Sequence, residues 1–231
     1  MLTMYRYIKQ MTISLLVFTG ISCDDADELL NQHIKDGPII YAGKIAELEV
    51  RSGYEKVGVR ILPVEDVNRA HCVLRWNAAS GNPDSVKVNY VPENYDEDLD
   101  SYYAELDMSG IEGNVLIEAW NVDAFGNRSL LTDQGGFVYG PNYVGTLLHA
   151  TPRFISDGQT IEFDNRVGVV DNLVSYEQSN GQFTEEVRVV ERLELHDAKP
   201  GGVVRSKTRY LINESDIDTL VTPSYLETVI P

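Results

Sequence analysis

Residues 113–129 read GNVLIEAWNVDAFGNRS and combine a strand with the turn that follows it. In the first half, Val115, Ile117 and Ala119 share one face of an extended chain, and Trp120 lies on the opposite face. A period of two residues is typical of a strand that buries one of its faces. The stretch therefore predicts that the first set points into a core and that Trp120 points outward.

The second half of the stretch, residues 123–129, has the composition of a hairpin turn. Gly126 and Asn127 tolerate positive φ, and the Asp123 side chain can accept hydrogen bonds from the backbone of the turn. A strand that ends in D-x-x-G-N-x-S resembles the penultimate strand of a fibronectin type III domain. This resemblance implies a β-sandwich.

Most of the chain beyond residue 38 shows the same two-residue period. Alternating segments of the first half are 47–50, 57–61, 72–76, 85–88 and 115–119. After a break near residues 135–143, a second strand-rich series comprises 159–163, 173–177, 185–190, 203–212 and 218–222. We therefore predict an all-β fold of two tandem β-sandwiches, a fibronectin type III-like one at residues 38–140 and a smaller one at 145–231.

The first 22 residues have the layout of a secretory signal peptide. Arg6 and Lys9 are followed by residues 11–22, which carry no charge and are too few to span a bilayer. Residues 19–23, Thr-Gly-Ile-Ser-Cys, resemble a bacterial lipobox, in which the cysteine is lipidated and becomes the mature N-terminus. Cleavage by an ordinary signal peptidase is the alternative, but only the lipobox explains why the apolar run stops at Cys23.

The chain has two cysteines, Cys23 and Cys72. Lipidation of Cys23 would leave Cys72 alone, so no disulfide could form. Cys72 shares a face of its predicted strand with Leu74 and Trp76, and we expect a buried, unreactive thiol there.

Four acids follow the first cysteine: Asp24, Asp25, Asp27 and Glu28. They resemble the export signal that directs lipoproteins of the Bacteroidota to the outer face of the outer membrane. A solvated acidic tether that needs no receptor is the alternative interpretation. Residues 23–37 are in either case predicted to form a lipidated tether, and the protein is predicted to be an outer membrane lipoprotein exposed at the cell surface.

The formal net charge of the chain is −17. Removal of residues 1–22 removes two basic residues and no acid, which gives −19. So acidic a chain repels phosphate backbones, and we predict no nucleic-acid partner.

Several short motifs beyond the tether resemble one family in order and spacing. They are YAGKI at 41–45, RSGYEKV at 51–57, RWN at 75–77, GNRS at 126–129, VYG at 138–140 and DIDTL at 216–220. The series resembles an uncharacterised family of Bacteroidota surface lipoproteins, domain of unknown function 4998. The resemblance implies a tandem β-sandwich lipoprotein, often encoded beside nutrient-acquisition genes, and it supplies no catalytic residues.

The sequence offers little support for catalysis. It contains no G-x-S-x-G elbow, and its four histidines (His33, His71, His149 and His196) are scattered without an evident serine or cysteine partner. We therefore predict that the protein is not an enzyme. A hydrolase whose site is assembled in space remains the alternative.

One acidic segment has a possible metal-binding pattern. Asp96, Asp98 and Asp100 alternate, and Asp107 follows eleven residues after the first of them. This spacing resembles a calcium loop, although Ser101 stands where the turn glycine would be. A solvated acidic loop is the other interpretation, so weak calcium binding is the only cofactor expected.

Exposed aromatic residues are the best candidates for ligand binding, because flat rings stack on the CH groups of sugars. Trp120 is expected to share its outward face with Arg75 of a neighbouring strand. A second possible platform, for which cross-strand packing is the alternative, consists of Tyr95, Tyr102 and Tyr103. We expect the second sandwich or the linker at 137–143 to cover Trp120, and a glycan or a protein partner is the alternative. We predict a non-catalytic glycan-capture accessory, with an adhesin-like or structural protein-contact component as the alternative.

Overall fold

A computed structural model describes residues 41–155 and 158–231 of the chain. The predicted signal peptide, Cys23 and the acidic tether lie outside the described residues. Residues 42–231 form one compact unit. In the two described ranges, no helix has the length and apolar character needed to cross a membrane.

The first sandwich contains eight strands. They are β1 (Ile45–Tyr54), β2 (Lys56–Pro63), β3 (Arg69–Asn77), β4 (Pro83–Asn89), β5 (Tyr95–Asp96), β6 (Ser101–Asp107), β7 (Gly113–Asp123) and β8 (Thr132–Tyr139). One layer has the order β1-β2-β6-β5 and the other β4-β3-β7-β8, and the end of β1 also pairs in parallel with β8. Apart from the added β5, this is the A-B-E and C′-C-F-G arrangement of a fibronectin type III sandwich.

The core of this sandwich follows the predicted two-residue period. Ile117 and Ala119 of β7 are fully buried, and so are Leu74 of β3 and Ile61 of β2. Because the buried side chains of both layers form one apolar cluster, the two layers pack face to face.

The second sandwich follows a short helix, α1 (Pro141–Gly145). Its strands are β9 (Pro152–Phe154), β10 (Thr160–Phe163), β11 (Val169–Tyr176), β12 (Val187–Val189), β13 (Arg192–Glu194), β14 (Val203–Tyr210), β15 (Leu220–Val221) and β16 (Leu226–Val229). One sheet has the order β9-β10-β13, and the other has β12-β11-β14 with β15 and β16 both paired to β14. The second sandwich therefore repeats the strand order of the first, and the predicted all-β fold class is confirmed.

An apolar cluster joins the two sandwiches. Tyr139 at the end of β8 and Val144 of α1 are buried together with Tyr210 and Leu220 of the second sandwich. Tyr139 also packs against the ring of Tyr143, with 4.7 Å between the ring centroids. The cluster makes the linker between the sandwiches part of a packed core.

Hydrogen bonds from the loop between β14 and β15 strengthen this junction. The Tyr139 hydroxyl donates to Asp216 Oδ2 at 2.8 Å, and the backbone N–H of Ile217 donates to the Ser52 carbonyl at 2.9 Å. Asp218 Oδ2 accepts from the Tyr54 backbone N–H at 2.9 Å. The loop of one sandwich thus satisfies backbone groups at the end of the other.

The turn after β7 has the geometry that its sequence predicts. Asp123 Oδ1 accepts from the backbone N–H groups of Phe125 and Asn127, each at 2.9 Å, and Oδ2 accepts from Asn127 Nδ2 at 2.8 Å. Gly126 has a φ of +87°, a conformation in which a side chain would be strained. The bond from the Asn127 side chain, with the two backbone bonds, lowers the pKa of Asp123.

This pKa shift predicts how Asp123→Ala changes the pH dependence of stability. The ordinary pKa of an aspartate is 3.8, so the stabilisation is present above that pH and is lost as the pH falls through the lower pKa of the folded state. We expect the variant to be less stable at pH 7 and to lose less stability than the wild type on acidification. Urea unfolding between pH 7 and pH 3 measures both effects.

Asp133→Ala is the matched control, since Asp133 is an exposed aspartate of the same sandwich. It should retain the acid sensitivity of the wild type. An Asp123→Ala variant as acid-sensitive as the wild type would show that the turn carboxylate does not contribute in this way.

Candidate functional site

Trp120 lies on the outer face of β7, as the alternation predicts. The register places Val73 of β3 directly opposite Trp120 and Arg75 directly opposite Glu118. Lys87 of the edge strand β4 lies opposite Val73 on the same side of the sheet. We call the outer surface formed by Val73, Arg75, Lys87, Trp120 and Arg128 the first face.

Two arginines cover the Trp120 ring. The guanidinium carbons of Arg75 and Arg128 each lie 5.4 Å from the ring centroid, a distance at which the ring attracts a cation. Arg75 also forms an ion pair with Glu118 at 2.6 Å, and its side chain remains 43% exposed. The ring is therefore covered by side chains of its own sandwich, and the cover expected from the second sandwich or the linker is not what the structure places there.

The indole N–H of Trp120 is the one buried side-chain donor or acceptor in the described ranges without a hydrogen-bond partner. Trp120 is consequently held by stacking and packing. On the first face the ring acts as a support, and the guanidinium groups it carries are what a ligand would meet.

Tyr102 and Tyr103 do not form one platform. They are consecutive residues of β6, and the register places Tyr102 opposite the buried Ile61 and Tyr103 opposite Arg60. Tyr102 packs inward against Tyr90, whose ring centroid is 4.6 Å away. The two tyrosines point to opposite sides of the sheet, so the predicted shared platform is wrong.

The acidic segment does not assemble a metal centre. Asp96 Oδ1 accepts from the Leu99 backbone N–H at 3.0 Å, and the Tyr95 hydroxyl donates to Asp100. Asp107 Oδ1 accepts from the Ser109 backbone N–H at 2.9 Å and from its hydroxyl at 2.6 Å, and these bonds lower the pKa of Asp107. The remaining candidate, Asp98, is exposed.

These carboxylates therefore cap loops at different places. In residues 41–155 and 158–231, no group of three or more histidine, cysteine or acidic side chains is arranged to hold a metal ion. In the first sandwich, the first face is therefore a better candidate for a binding site than the acidic segment.

A hydroxyl and an imidazole meet inside the second sandwich. Thr222 Oγ1 lies 3.3 Å from His149 Nδ1, and it also accepts from the Thr208 backbone N–H at 3.0 Å. Thr208 Oγ1 in turn donates to Asn172 Oδ1 at 2.9 Å. Because Thr222, Thr208 and Asn172 are buried, this network holds strands together and offers no hydroxyl to a substrate.

The second sandwich has a basic surface that our sequence analysis did not identify. In β14, Arg205, Lys207 and Arg209 alternate with buried residues and point outward. Leu173 of β11 lies between Lys207 on one side and Arg188 of β12 on the other. These four cations, with Phe183 and Tyr225, define the second face.

Aromatic rings and carboxylates hold the cations of the second face. The Arg205 guanidinium lies 4.1 Å from the Phe183 ring centroid and forms an ion pair with Glu227 at 2.9 Å. The Lys207 ammonium lies 4.5 Å from the centroid of Tyr225, whose hydroxyl donates to Glu186.

Arg209 is more deeply buried than Arg205. It pairs with Asp171 at 2.9 Å, and the side chains are 13% and 9% exposed. Removing either partner would leave a buried charge without compensation. The pair therefore fixes the position of the Arg209 side chain on the second face.

The two faces are equivalent in topology. The first face lies on the outer surface of the layer β4-β3-β7-β8, and the second lies on the equivalent layer, β12-β11-β14 with β15 and β16. Each face combines cations with aromatic rings. Seven of the 19 lysines and arginines of this acidic chain lie on them: Arg75, Lys87, Arg128, Arg188, Arg205, Lys207 and Arg209. The signal for the second face was present in the sequence as R-x-K-x-R within a strand pattern.

The fold and these surfaces define a tandem fibronectin type III-like β-sandwich protein in which the equivalent layer of each sandwich carries a cation–aromatic face. A family model for DUF4998, a domain of unknown function, matches residues 23–220. The chain therefore belongs to the DUF4998 family. No curated protein matches it.

The solved structures that are similar to the chain include the following three. A two-domain fibronectin type III segment of chicken tenascin is 19% identical, with 80% of this chain and 99% of that chain covered and a TM-score of 0.33. The FN1–FN3 domains of chicken CNTN1 are 8% identical, with 82% and 65% covered and a TM-score of 0.37.

The third structure is a family 76 glycoside hydrolase from a bovine Bacteroides thetaiotaomicron strain. It is 15% identical, with 42% of this chain covered and a TM-score of 0.34. The match spans only 21% of the hydrolase chain. All three TM-scores are low, so the fold assignment depends on the strand order given above.

Proposed function

We propose that this chain is a non-catalytic binding module, lipid-anchored through Cys23 at the outer membrane surface, that captures glycans. The observation that carries the proposal is the pair of cation–aromatic faces on the equivalent layers of the two sandwiches. The anchoring part of the proposal depends on the lipobox-like residues 19–23 and on the acidic segment that follows them.

A guanidinium group fixed over an aromatic ring is a suitable donor for sugar hydroxyl and ring oxygens. Its planar fork is already oriented, so binding costs less conformational entropy than ordering a free side chain. On the first face, the Glu118 carboxylate beside Arg75 adds an acceptor for sugar hydroxyl groups. Donors and acceptors at one flat surface match the chemistry of a saccharide.

A contact with another surface protein is the second candidate function. Leu116 of β7 is 54% exposed on the outer side of the sheet, and Leu130 and Leu131 are exposed in the segment that leads into β8. Neighbouring apolar side chains of this kind are common in protein interfaces.

We expect Trp120→Ala to weaken glycan binding roughly fivefold or more, because the variant removes the ring that positions two guanidinium groups. The measurement is binding of the purified chain, residues 23–231, to a panel of immobilised neutral and acidic polysaccharides. Phe125→Ala is the control, since Phe125 is an exposed aromatic residue of a loop outside the first face.

Unchanged binding in Trp120→Ala would exclude the first face as a glycan site. If the chain bound no polysaccharide but cross-linked to a defined surface protein through the first face, the second candidate would replace the proposal. Turnover of any polysaccharide would contradict the non-catalytic assignment.

A further inference from the structure

We propose that the second face binds a polysaccharide whose sugars carry carboxylate groups. This inference rests on the proposed glycan-capture function and names the ligand class of a second site. The site consists of Arg188, Arg205, Lys207 and Arg209 with the rings of Phe183 and Tyr225.

The charges of the face are only partly neutralised. Arg205 and Arg209 have carboxylate partners in Glu227 and Asp171. Among the described residues, no carboxylate forms an ion pair with Arg188 or Lys207. In a chain with a net charge of −17, two cations on one surface that no carboxylate neutralises form a local site for an anion.

The arrangement of the cations suits a polymer. Alternate residues of a strand are about 6.8 Å apart, so Arg205, Lys207 and Arg209 form a row of roughly 14 Å. Arg188 lies two strands away from Lys207, at a backbone separation of about 10 Å. A row of this length matches repeated charges on a chain better than one small anion.

The carboxylates of the face favour a glycan over a nucleic acid. Glu227 and Glu186 lie among the cations, and both can accept hydrogen bonds from sugar hydroxyl groups. They would repel a phosphodiester backbone, which offers no donor at its phosphates. The rings of Phe183 and Tyr225 are already stacked on cations, so they do not provide the open platform that unstacked bases need.

The same carboxylates favour a polysaccharide with a low density of negative charge. A polyuronate carries one carboxylate on each sugar and many hydroxyl groups, which two unpaired cations and several acceptors can match. A heavily sulfated polymer has a higher density of charge, and it would meet Glu227, Glu186 and the acidic remainder of the protein.

The test compares binding of the purified chain, residues 23–231, to immobilised polygalacturonate, dextran, dextran sulfate and a double-stranded oligonucleotide. We expect preference for polygalacturonate, with affinity reduced about tenfold in Lys207→Gln and about tenfold in Arg188→Gln. Both side chains are at the surface, and the two variants are independent tests of the same face. Arg153→Gln is the control, because the Arg153 side chain is 78% exposed on the other sheet of the same sandwich.

Four results would overturn the inference: preference for dextran, equal binding of dextran sulfate, equal binding of the oligonucleotide, or polygalacturonate binding that both variants retain. In the first and last cases the protein still captures a glycan, so the proposed function survives while the second site does not. Binding to no polysaccharide at all would contradict both proposals.

Discussion

Replacing Tyr139 with alanine is expected to lower the free energy of unfolding by about 3–5 kcal/mol. The Tyr139 side chain is buried at the junction of the two sandwiches and packs against the rings of Phe137 and Tyr143. Its hydroxyl donates to Asp216 and accepts from Asn213 Nδ2 at 3.2 Å. The substitution removes a large buried ring and both hydroxyl bonds, while Asp216 still accepts from the Asn213 backbone N–H at 2.9 Å.

The same variant should separate the unfolding of the two sandwiches. Tyr139 belongs to β8 of the first sandwich, but its apolar cluster includes Tyr210 and Leu220 of the second. The polar contacts that remain at the junction include the hydrogen bond from Ile217 to Ser52, the bond from Tyr54 to the Asp218 carboxylate, and the ion pair between Lys56 and Asp218 at 3.3 Å. Such bonds contribute about 1 kcal/mol each, which is too little to replace the lost packing.

The two tryptophans make this separation measurable. Trp76 and Trp120 both lie in the first sandwich, so tryptophan fluorescence reports on that sandwich alone, whereas circular dichroism reports on both. In urea, the two signals should change together for the wild type and at different concentrations for Tyr139→Ala.

Tyr54→Ala is the matched control at this junction. Tyr54 contributes its backbone N–H to Asp218, and its side chain is exposed, so the junction should remain intact. If Tyr139→Ala still gave coincident transitions, the packed cluster would not be what couples the sandwiches.

The two-residue period predicted the fold class and which side chains of β7 point into the core, because burial of one sheet face requires an apolar residue at every second position. It placed Ile117 inside and Trp120 outside, and the structure agrees. The same rule contradicts a platform made of Tyr102 and Tyr103, since consecutive residues of a strand point to opposite faces. The platform was predicted because the two tyrosines are adjacent in sequence, whereas a shared platform requires side chains on the same face of the sheet.

What covers Trp120 could not be predicted from the period. Arg75 reaches the ring from the adjacent strand, and Arg128 reaches it from beyond the hairpin. Both contacts depend on the register and on the rotamers of long side chains, which alternation does not specify. The β14 row was different, since Arg205, Lys207 and Arg209 are visible in the sequence as alternate residues of one strand.

The acidic segment shows a further limit of spacing arguments. Asp96, Asp100 and Asp107 have the separations of ligands in a calcium loop, but each accepts a hydrogen bond from a residue two to five positions away. Local capping of this kind competes with metal coordination for the same oxygen atoms. The sequence gives the positions of the carboxylates and leaves their directions undetermined.

Replacing Cys23 with alanine is expected to move the protein from the membrane fraction to the soluble fraction. One acyl chain gives only weak, reversible attachment to a bilayer, whereas the several chains of a lipoprotein cysteine give stable attachment. Fractionation of cells grown with an alkyne analogue of palmitate measures both attachment and lipid incorporation. Wild-type protein should carry the label, and the variant should lack it.

Cys72→Ala is the control that makes this result specific to Cys23. Cys72 is fully buried in the first sandwich, and burial raises the pKa of its thiol to about 12, so it should neither accept lipid nor react with a maleimide in the folded protein. The control variant should therefore remain in the membrane fraction and keep its label. A native wild-type protein whose Cys23 reacts with maleimide, or a Cys23→Ala protein that still sediments with membranes, would show that the anchor lies elsewhere.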